Sequence, residues 1–214
     1  LKTLGLLQEV LYCNEENARK YYKQIVKYGD LISGYQALST SYQKEKKYKK
    51  LGFSYLKKAA QLTQVDPFGF AQYYLSQRQF KKGYRYYIIK IPRSHDDYLW
   101  LKRFKTRWNG KRYPNETLLV YGDQGIGDQL MFARYIPFLQ KKFKQIKVVM
   151  HPSLITIMKR SFKHCKNVKF YPNKNIMRLP LFDKSVQLSH LPYFLNINFN
   201  HIPTPEGYLI PNNK

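Results

Sequence analysis

From residue 1 to about 92 the apolar positions recur every three or four residues, the period of a helix with one buried face. Leu4, Leu7, Val10 and Leu11 form a first stripe, and Ala18, Tyr21, Tyr22, Ile25 and Val26 a second. Ile32, Tyr35, Leu38 and Tyr42 form a third. A fourth runs through Tyr48, Leu51, Tyr55, Leu56, Ala59 and Leu62 and is closed by Asp66 and Pro67, since the residue before a proline avoids the α region. Phe70, Tyr73, Tyr74 and Leu75 follow, then Phe80, Gly83, Tyr84 and Tyr87. One-faced helices in succession predict an α-solenoid of helix pairs, each burying its stripe against its neighbours. An unrelated helical bundle satisfies the same periods.

The pattern changes across residues 93–116, which read as a linker with Trp100, Trp108, Gly110 and Pro114. From 117 onward short apolar runs alternate with helix-period segments, the mark of a parallel sheet with crossover helices. The predicted strands are 118–121, 145–150, 168–171 (ended by Pro172) and 185–188. Leu130, Met131, Ala133, Ile136, Phe138 and Leu139 give the helix after the first strand its apolar face. Pro152 stands in the first turn of another, faced by Leu154, Ile155, Ile157, Met158 and Phe162. Gly122, Gly125 and Gly127 join the first strand to its helix. Glycines let a strand turn sharply, and the helix then points N–H groups into the turn, where an anion is stabilised. Asp128 is the predicted N-cap.

Charge changes the picture of the surface. The chain of 214 residues carries 38 Lys/Arg against 13 Asp/Glu, a net +25. Residues 1–110 hold +14 and residues 111–214 hold +11, so the excess is not a tail. Such a surface attracts nucleic acid, anionic lipid or a phosphorylated sugar; lysines that merely keep a tyrosine-rich chain solvated are the plain alternative. Cys13 and Cys165 have no metal or redox spacing, which fits a reduced, cytosolic setting. No apolar run approaches a transmembrane length, and the first residues lack the apolar core and cleavage site of a secretion signal. The chain opens on Leu rather than Met, so the expectation is a piece of a longer product.

Several chemistries are excluded by the residues present. The five histidines have no zinc spacing, and neither a metal nor a bound cofactor is expected. There is no G-x-x-x-x-G-K-[ST] phosphate loop. The glycines do not fit G-x-G-x-x-G, and His151 and Pro152 stand where a dinucleotide site needs an acidic residue.

Residues 117–139, TLLVYGDQGIGDQLMFARYIPFL, carry a resemblance. They resemble the E-Q-G-x-G-D-x-x-x-F-x-R-Y signature of bacterial proteins in which tetratricopeptide (TPR) repeats precede a glycosyltransferase-like domain. That domain is similar to the ADP-heptose:lipopolysaccharide heptosyltransferases of glycosyltransferase family 9. Asp123 takes the place of the glutamate; Gln124, Gly125, Gly127, Asp128, Phe132, Arg134 and Tyr135 match. Residues 48–67, with Ala59, Ala60 and the closing proline, look like the second helix of a TPR unit. Gly83 and Tyr84, with Tyr86 and Tyr87, resemble a G-W/Y-x-x-Y-E segment in which Ile88 replaces the glutamate. Trp108-Asn109-Gly110 resembles a W-x-G, HLPYF at 190–194 an S-L-P segment, and Tyr208-Leu209 a P-Y-L. The resemblance spans 49–214 and is strongest over 68–139.

It implies an α + α/β fold: a TPR-like α-solenoid over 1–92, a linker over 93–116, and over 117–214 the Rossmann-like, parallel-sheet half of a GT-B fold. In a GT-B enzyme a second Rossmann-like domain follows and makes most nucleotide-sugar contacts; this chain ends before it. The implied activity is metal-independent, inverting transfer of a hexosyl or heptosyl group from a nucleotide-sugar donor to a saccharide or protein acceptor. A partner or the acceptor would sit in the TPR groove. Asp128 falls on the position of the proposed base, which takes the acceptor's proton. N–H groups at Gly125, Ile126 and Gly127 would line the cleft, while Asp123, Gln124 and Gln129 are candidates to bond substrate hydroxyls. Arg134 is open to two readings, an acceptor-phosphate ligand or a structural cation. His151 follows the second strand, at the edge where α/β ligands gather, and is open to the same two readings. The implied location is cytoplasmic with peripheral contact at an anionic inner membrane.

Two other classes stand beside this one. The chain could be a non-catalytic TPR scaffold, or a truncated remnant. The clusters Lys20-Tyr21-Tyr22-Lys23 and Lys46-Lys47-Tyr48-Lys49-Lys50 would suit a basic nucleic-acid-binding module, with cations on the backbone and rings on the bases. Much of the tyrosine falls on predicted core faces, which makes nucleic acid the unfavoured partner.

Overall fold

A computed structural model describes residues 1–63, 67–89, 107–122, 125–173, 181–203 and 207–212. The chain divides into two compact units, Leu1–Gln77 and Arg78–Lys214. The first is helical and the second is mixed α/β with a four-stranded, all-parallel sheet.

The helical unit contains α1 (Lys2–Val10), α2 (Glu15–Lys27), α3 (Leu31–Lys44), α4 (Lys49–Thr63) and α5 (Pro67–Ser76). Each of the first four packs on the next. Side-chain caps define two starts: Asn14 accepts from Asn17 N at 3.0 Å and Asp30 from Ser33 N at 3.1 Å. Ala18, Tyr22, Ile25, Leu38 and Tyr42 form the core, with Tyr35, Tyr48 and Tyr55 packed against it. These are the second and third predicted stripes, although Ile32 is exposed.

Two stripes are corrected. Leu4, Leu7, Val10 and Leu11 of α1 are all exposed, and Gly5 is the residue of that helix that is buried. A stripe at helical spacing identifies a helix but cannot say whether a neighbour covers it. In α4 the buried positions are Gly52, Leu56 and Ala59, while Leu51 and Leu62 point to solvent.

A buried cation sits in this core. The guanidinium of Arg19 lies 4.3 Å from the centre of the Tyr42 ring. It donates to the Ser41 hydroxyl at 3.0 Å, the Ser41 carbonyl at 3.1 Å and Glu45 Oε1 at 2.6 Å. Ser41 in turn donates to Glu15 at 2.8 Å, and Lys44 reaches Glu15 at 3.0 Å and Glu9 at 3.5 Å. Tyr22 donates to Glu9 at 2.9 Å. The network ties α1, α2 and α3 together, and it leaves Arg19 only 7% exposed because its hydrogen bonds replace water.

The second unit begins with α6 (Phe80–Tyr87), whose Tyr84 and Tyr87 pack on the sheet's core. β1 (Tyr113–Tyr121), α7 (Ile126–Ala133), β2 (Phe143–Met150), α8 (Ile155–Ser161), β3 (Val168–Pro172), β4 (Lys184–Gln187) and the short α9 (Leu191–Phe194) follow. The strand order is β3-β2-β1-β4. All four predicted strands are present. β1 starts before the apolar run, at Tyr113, and its register shifts between Tyr113 and Thr117. Thr117 N donates to the Asp183 carboxylate at 2.7 Å, which fixes the start of β4 beside β1. Leu118, Val120, Ile146, Val148 and Val186 form the middle of the core, and Trp108 is 1% exposed against it. Arg107 and Trp108 extend the pairing, since Trp108 N donates to the Ser185 carbonyl at 2.9 Å.

Among the described residues no helix is long and apolar enough to cross a membrane.

Candidate functional site

Parallel strands present all their carboxyl ends at one edge, and the order decides where that edge opens. From β1 the chain moves to β2 and β3 on one side, then returns to β4 on the other. In parallel sheets ligands gather at the carboxyl ends of the strands where the order reverses, here the edge between β1 and β4, hereafter the crevice. The glycine-rich turn falls there. Gly122 follows β1 and donates to the Val149 carbonyl at 2.7 Å, pinning the turn to β2. Asp123 and Gln124 lie outside the described residues.

The helix starts earlier than the sequence predicts, and Asp128 is not its N-cap. Gly125 is the N-cap, with an extended backbone at φ −82°, ψ 134°, and Asp128 is the third residue of α7. Gln129 N donates to the Gly125 carbonyl at 3.1 Å, closing the first turn over that cap. The N–H groups of that turn have no intrahelical partner, and they favour negative charge beside them. The Asp128 carboxylate meets this preference. It folds back toward Gly125, where a Cβ would sit 2.8 Å from Asp128 Oδ2. No hydrogen bond or ion pair among the described residues occupies that carboxylate. A Cβ on Gly127 would meet nothing within 4 Å, and Ile126 is 42% exposed, so the backbone of the turn is open to approach.

Gln129 works from beneath. It is 2% exposed, and its Oε1 accepts from His151 N at 2.8 Å. A Cβ at Gly122 would sit 2.7 Å from its amide, so that glycine is required for Gln129 to lie across the turn. The amide thus links the carboxyl ends of β1 and β2. The His151 ring is engaged too: Nδ1 lies 2.7 Å from Ser153 Oγ and accepts from Ser153 N at 3.3 Å, capping the 3₁₀ turn at Pro152–Leu154. Across the crevice, β4 ends in a buried 3₁₀ turn, Leu188–His190, that packs on α7. His190 Nδ1 lies 3.4 Å from an Arg107 nitrogen.

Arg134 is elsewhere. It caps the far end of α7, on the order of 12 Å along the axis from the first turn at 1.5 Å per residue. Its guanidinium is 5.8 Å from the Tyr208 ring, and its buried Nε has no hydrogen-bond partner among the described residues. Tyr208 donates to the Leu130 carbonyl. Burial pushes the Tyr208 phenol up to about 12, with Arg134 acting against the rise. Burial likewise raises Tyr84 and Tyr135, which are hydrogen-bonded to each other. This cluster packs α6 and α7 together and takes no part in the crevice.

The crevice therefore brings together Gly125, Ile126, Gly127 and Asp128, supported by Gln129, with His151 on the neighbouring strand end. It offers a carboxylate and helix-start N–H groups that have no partner among the described residues, a set able to take a proton from a hydroxyl and to bind an anion. Among the described residues no group of His, Cys, Asp and Glu could hold a metal ion. The supporting role of Gln129 was missed from sequence, but a signal existed. Gln129 shares a helical face with Phe132, Ala133 and Ile136, and a polar residue in an apolar stripe is there to bond something buried.

In comparisons with known proteins, no family model, no curated protein and no solved structure matches this chain.

Proposed function

We propose that the chain is the acceptor-side part of a glycosyltransferase that moves a sugar from a nucleotide donor to a saccharide or protein hydroxyl. The observation that carries this reading is the Asp128 carboxylate in the first turn of α7, at the carboxyl edge between β1 and β4, which has no hydrogen-bond or ion-pair partner among the described residues. Asp128 takes the acceptor proton as the hydroxyl attacks the anomeric carbon and the nucleotide diphosphate leaves. N–H groups at Gly125, Ile126 and Gly127 orient an anionic part of the substrate. Gln129 holds the turn in place, and Asp123 and Gln124 complete the loop. The donor-binding half is a second Rossmann-like domain, and the parallel sheet in order β3-β2-β1-β4 is the Rossmann-like first half. The helical unit is a TPR-like solenoid that holds the acceptor or a partner protein. Transfer needs no metal and no bound cofactor.

The test is an assay of the native polypeptide with a panel of nucleotide sugars and candidate acceptors. Release of nucleotide diphosphate that requires both donor and acceptor supports the reading; no release from any donor counts against it.

A second reading, an interaction scaffold, is favoured by one observation. The outer face of α1 exposes Leu4, Leu6 and Leu7, with Val10 and Leu11 at 70% and 66%, and contiguous exposed apolar surface marks interaction sites. On that reading Asp128→Asn leaves the protein's cellular effect intact.

A further inference from the structure

We propose that a pocket at the amino-terminal edge of the sheet, opposite the crevice, binds a single sugar ring carrying a phosphate or a carboxylate. Its volume is about 340 Å³, at the low end of small-molecule sites, which run roughly from 300 to 1,000 Å³, so it admits one ring rather than a chain.

Three segments that stand out in the sequence, and that the transferase reading leaves without a role, meet there. The Gly83-Tyr84 segment supplies Lys81 and Tyr84 from one face of α6, and Trp108-Asn109-Gly110 supplies Asn109. The HLPYF segment supplies Tyr193 and Phe194, with Asn196 just beyond and buried Pro192 and Ile197 beneath. The pocket lies at the amino edge because its partners are first residues of strands. Tyr113, which opens β1, bonds Asn109, and Phe143, which opens β2, packs on Trp108 with ring centres 5.7 Å apart.

The walls are formed before any ligand arrives. Trp108 is buried and donates from Nε1 to the Lys111 carbonyl at 2.7 Å. Gly110 adopts φ +88°, and a Cβ there would lie 2.9 Å from the Phe194 carbonyl, so this loop presses directly on α9. Asn196 holds φ +54°, with its N–H on the Tyr193 carbonyl at 3.0 Å. A preformed site loses little freedom on binding.

The polar groups define the ligand. Asn109 Oδ1 already accepts from Lys111 N and from Tyr113 OH, each at 3.1 Å, so the amide N–H groups are what it offers. Tyr84 shares a hydrogen bond with Tyr135 through its hydroxyl and offers its ring. Lys81 has no carboxylate partner among the described residues and is the charged group of the lining. Donors and one positive charge call for an acceptor-rich anion. An aryl acid would suit Lys81 and the aromatic walls but would cover the Asn109 and Asn196 amides without pairing them, at a cost. A hydroxylated ring pairs with both amides and packs its C–H face on Tyr193 and Phe194.

The experiment is a calorimetric titration of the native polypeptide with glucose 1-phosphate, glucuronate, glucose and benzoate. Saturable binding of at least one of the two anionic sugars, tighter than glucose or benzoate, is expected, and the stronger of the two identifies the anion. Lys81→Met should weaken it about tenfold or more, as loss of a charge-assisted hydrogen bond does. Asn196→Gly, which suits the left-handed backbone, should weaken it several-fold without unfolding. Asp128→Asn should leave it unchanged, which separates this site from the crevice. Absence of saturable binding, equal binding of benzoate, indifference to both pocket variants, or loss in Asp128→Asn would each overturn the proposal. None of those results bears on donor turnover.

Discussion

In the helical unit a guanidinium lies at the middle of the core, stacked over Tyr42 and wired through Ser41 to Glu15, with Glu45 on its other nitrogen. In the sheet unit the same place is taken by Leu118, Val120, Ile146 and Val148, each 0% exposed. The helical unit binds its helices with charge-assisted hydrogen bonds that work only if all partners are present. The sheet unit relies on close-packed hydrocarbon, in which each residue contributes its own share. The difference teaches where each unit is vulnerable: the first to one lost partner or a changed pH, the second to lost volume.

The largest effects expected are those of Arg19→Leu and Leu118→Ala. Removing the buried guanidinium leaves the Ser41 groups without their donor, while the part-exposed Glu45 keeps Lys47, at about 3 kcal/mol, the low end for a buried pair. Hydrogen exchange should accelerate across residues 15–44 and stay slow across residues 118–150. Leu118→Ala is the counterpart, also costing about 3 kcal/mol, through transfer and cavity terms, and the exchange pattern should invert. If either variant loosens both units alike, the division into two differently built cores is wrong.

A smaller effect comes from pH. Burial alone would raise the Glu15 carboxyl, but hydrogen bonds from Lys44 and Ser41 outweigh it and hold Glu15 below its ordinary 4.5. Its stabilisation is therefore present above pH 4.5 and is lost as pH falls through the folded-state value. Burial raises Tyr22, aided by its bond to Glu9; Lys44 is raised by Glu15 and Glu9 against its own burial. Those contributions are present below about pH 10 and are lost as pH rises further. Tyr84 and Tyr208 are raised in the sheet unit as well, so alkali should loosen both units. Acid is the discriminating arm: as pH falls below 4.5, exchange should open residues 15–44 first.

The comparison also explains what could be read from the sequence. The sheet was legible because its strands are short apolar runs between turn residues, and an all-hydrocarbon core leaves that trace directly. Strand β1 reads short in the sequence because Pro114, Asn115 and Glu116, at the register shift between Tyr113 and Thr117, carry no apolar signal. The helical unit was legible as helices but not as a core. Arg19 reads in sequence as one more surface cation, and nothing local says that Ser41 and Glu45, more than twenty residues on, will surround it. The stripe of α1 marked a face that this unit does not cover. The glycine turn and Asp128 were visible, yet the cap position was misassigned because Asp and Gly both serve as N-caps, and only the backbone reveals which one is extended.

The central claim is that Asp128 is the base of a sugar transfer. The most direct test is the turnover rate of the native polypeptide, with its best donor and acceptor, against that of Asp128→Asn. The change is isosteric and leaves hydrogen exchange at α7 as a check on folding. The account predicts a loss of about 10²-fold or more in rate, with donor affinity retained, as removal of a general base does. An Asp128→Asn protein that transfers sugar at the unaltered rate would contradict it.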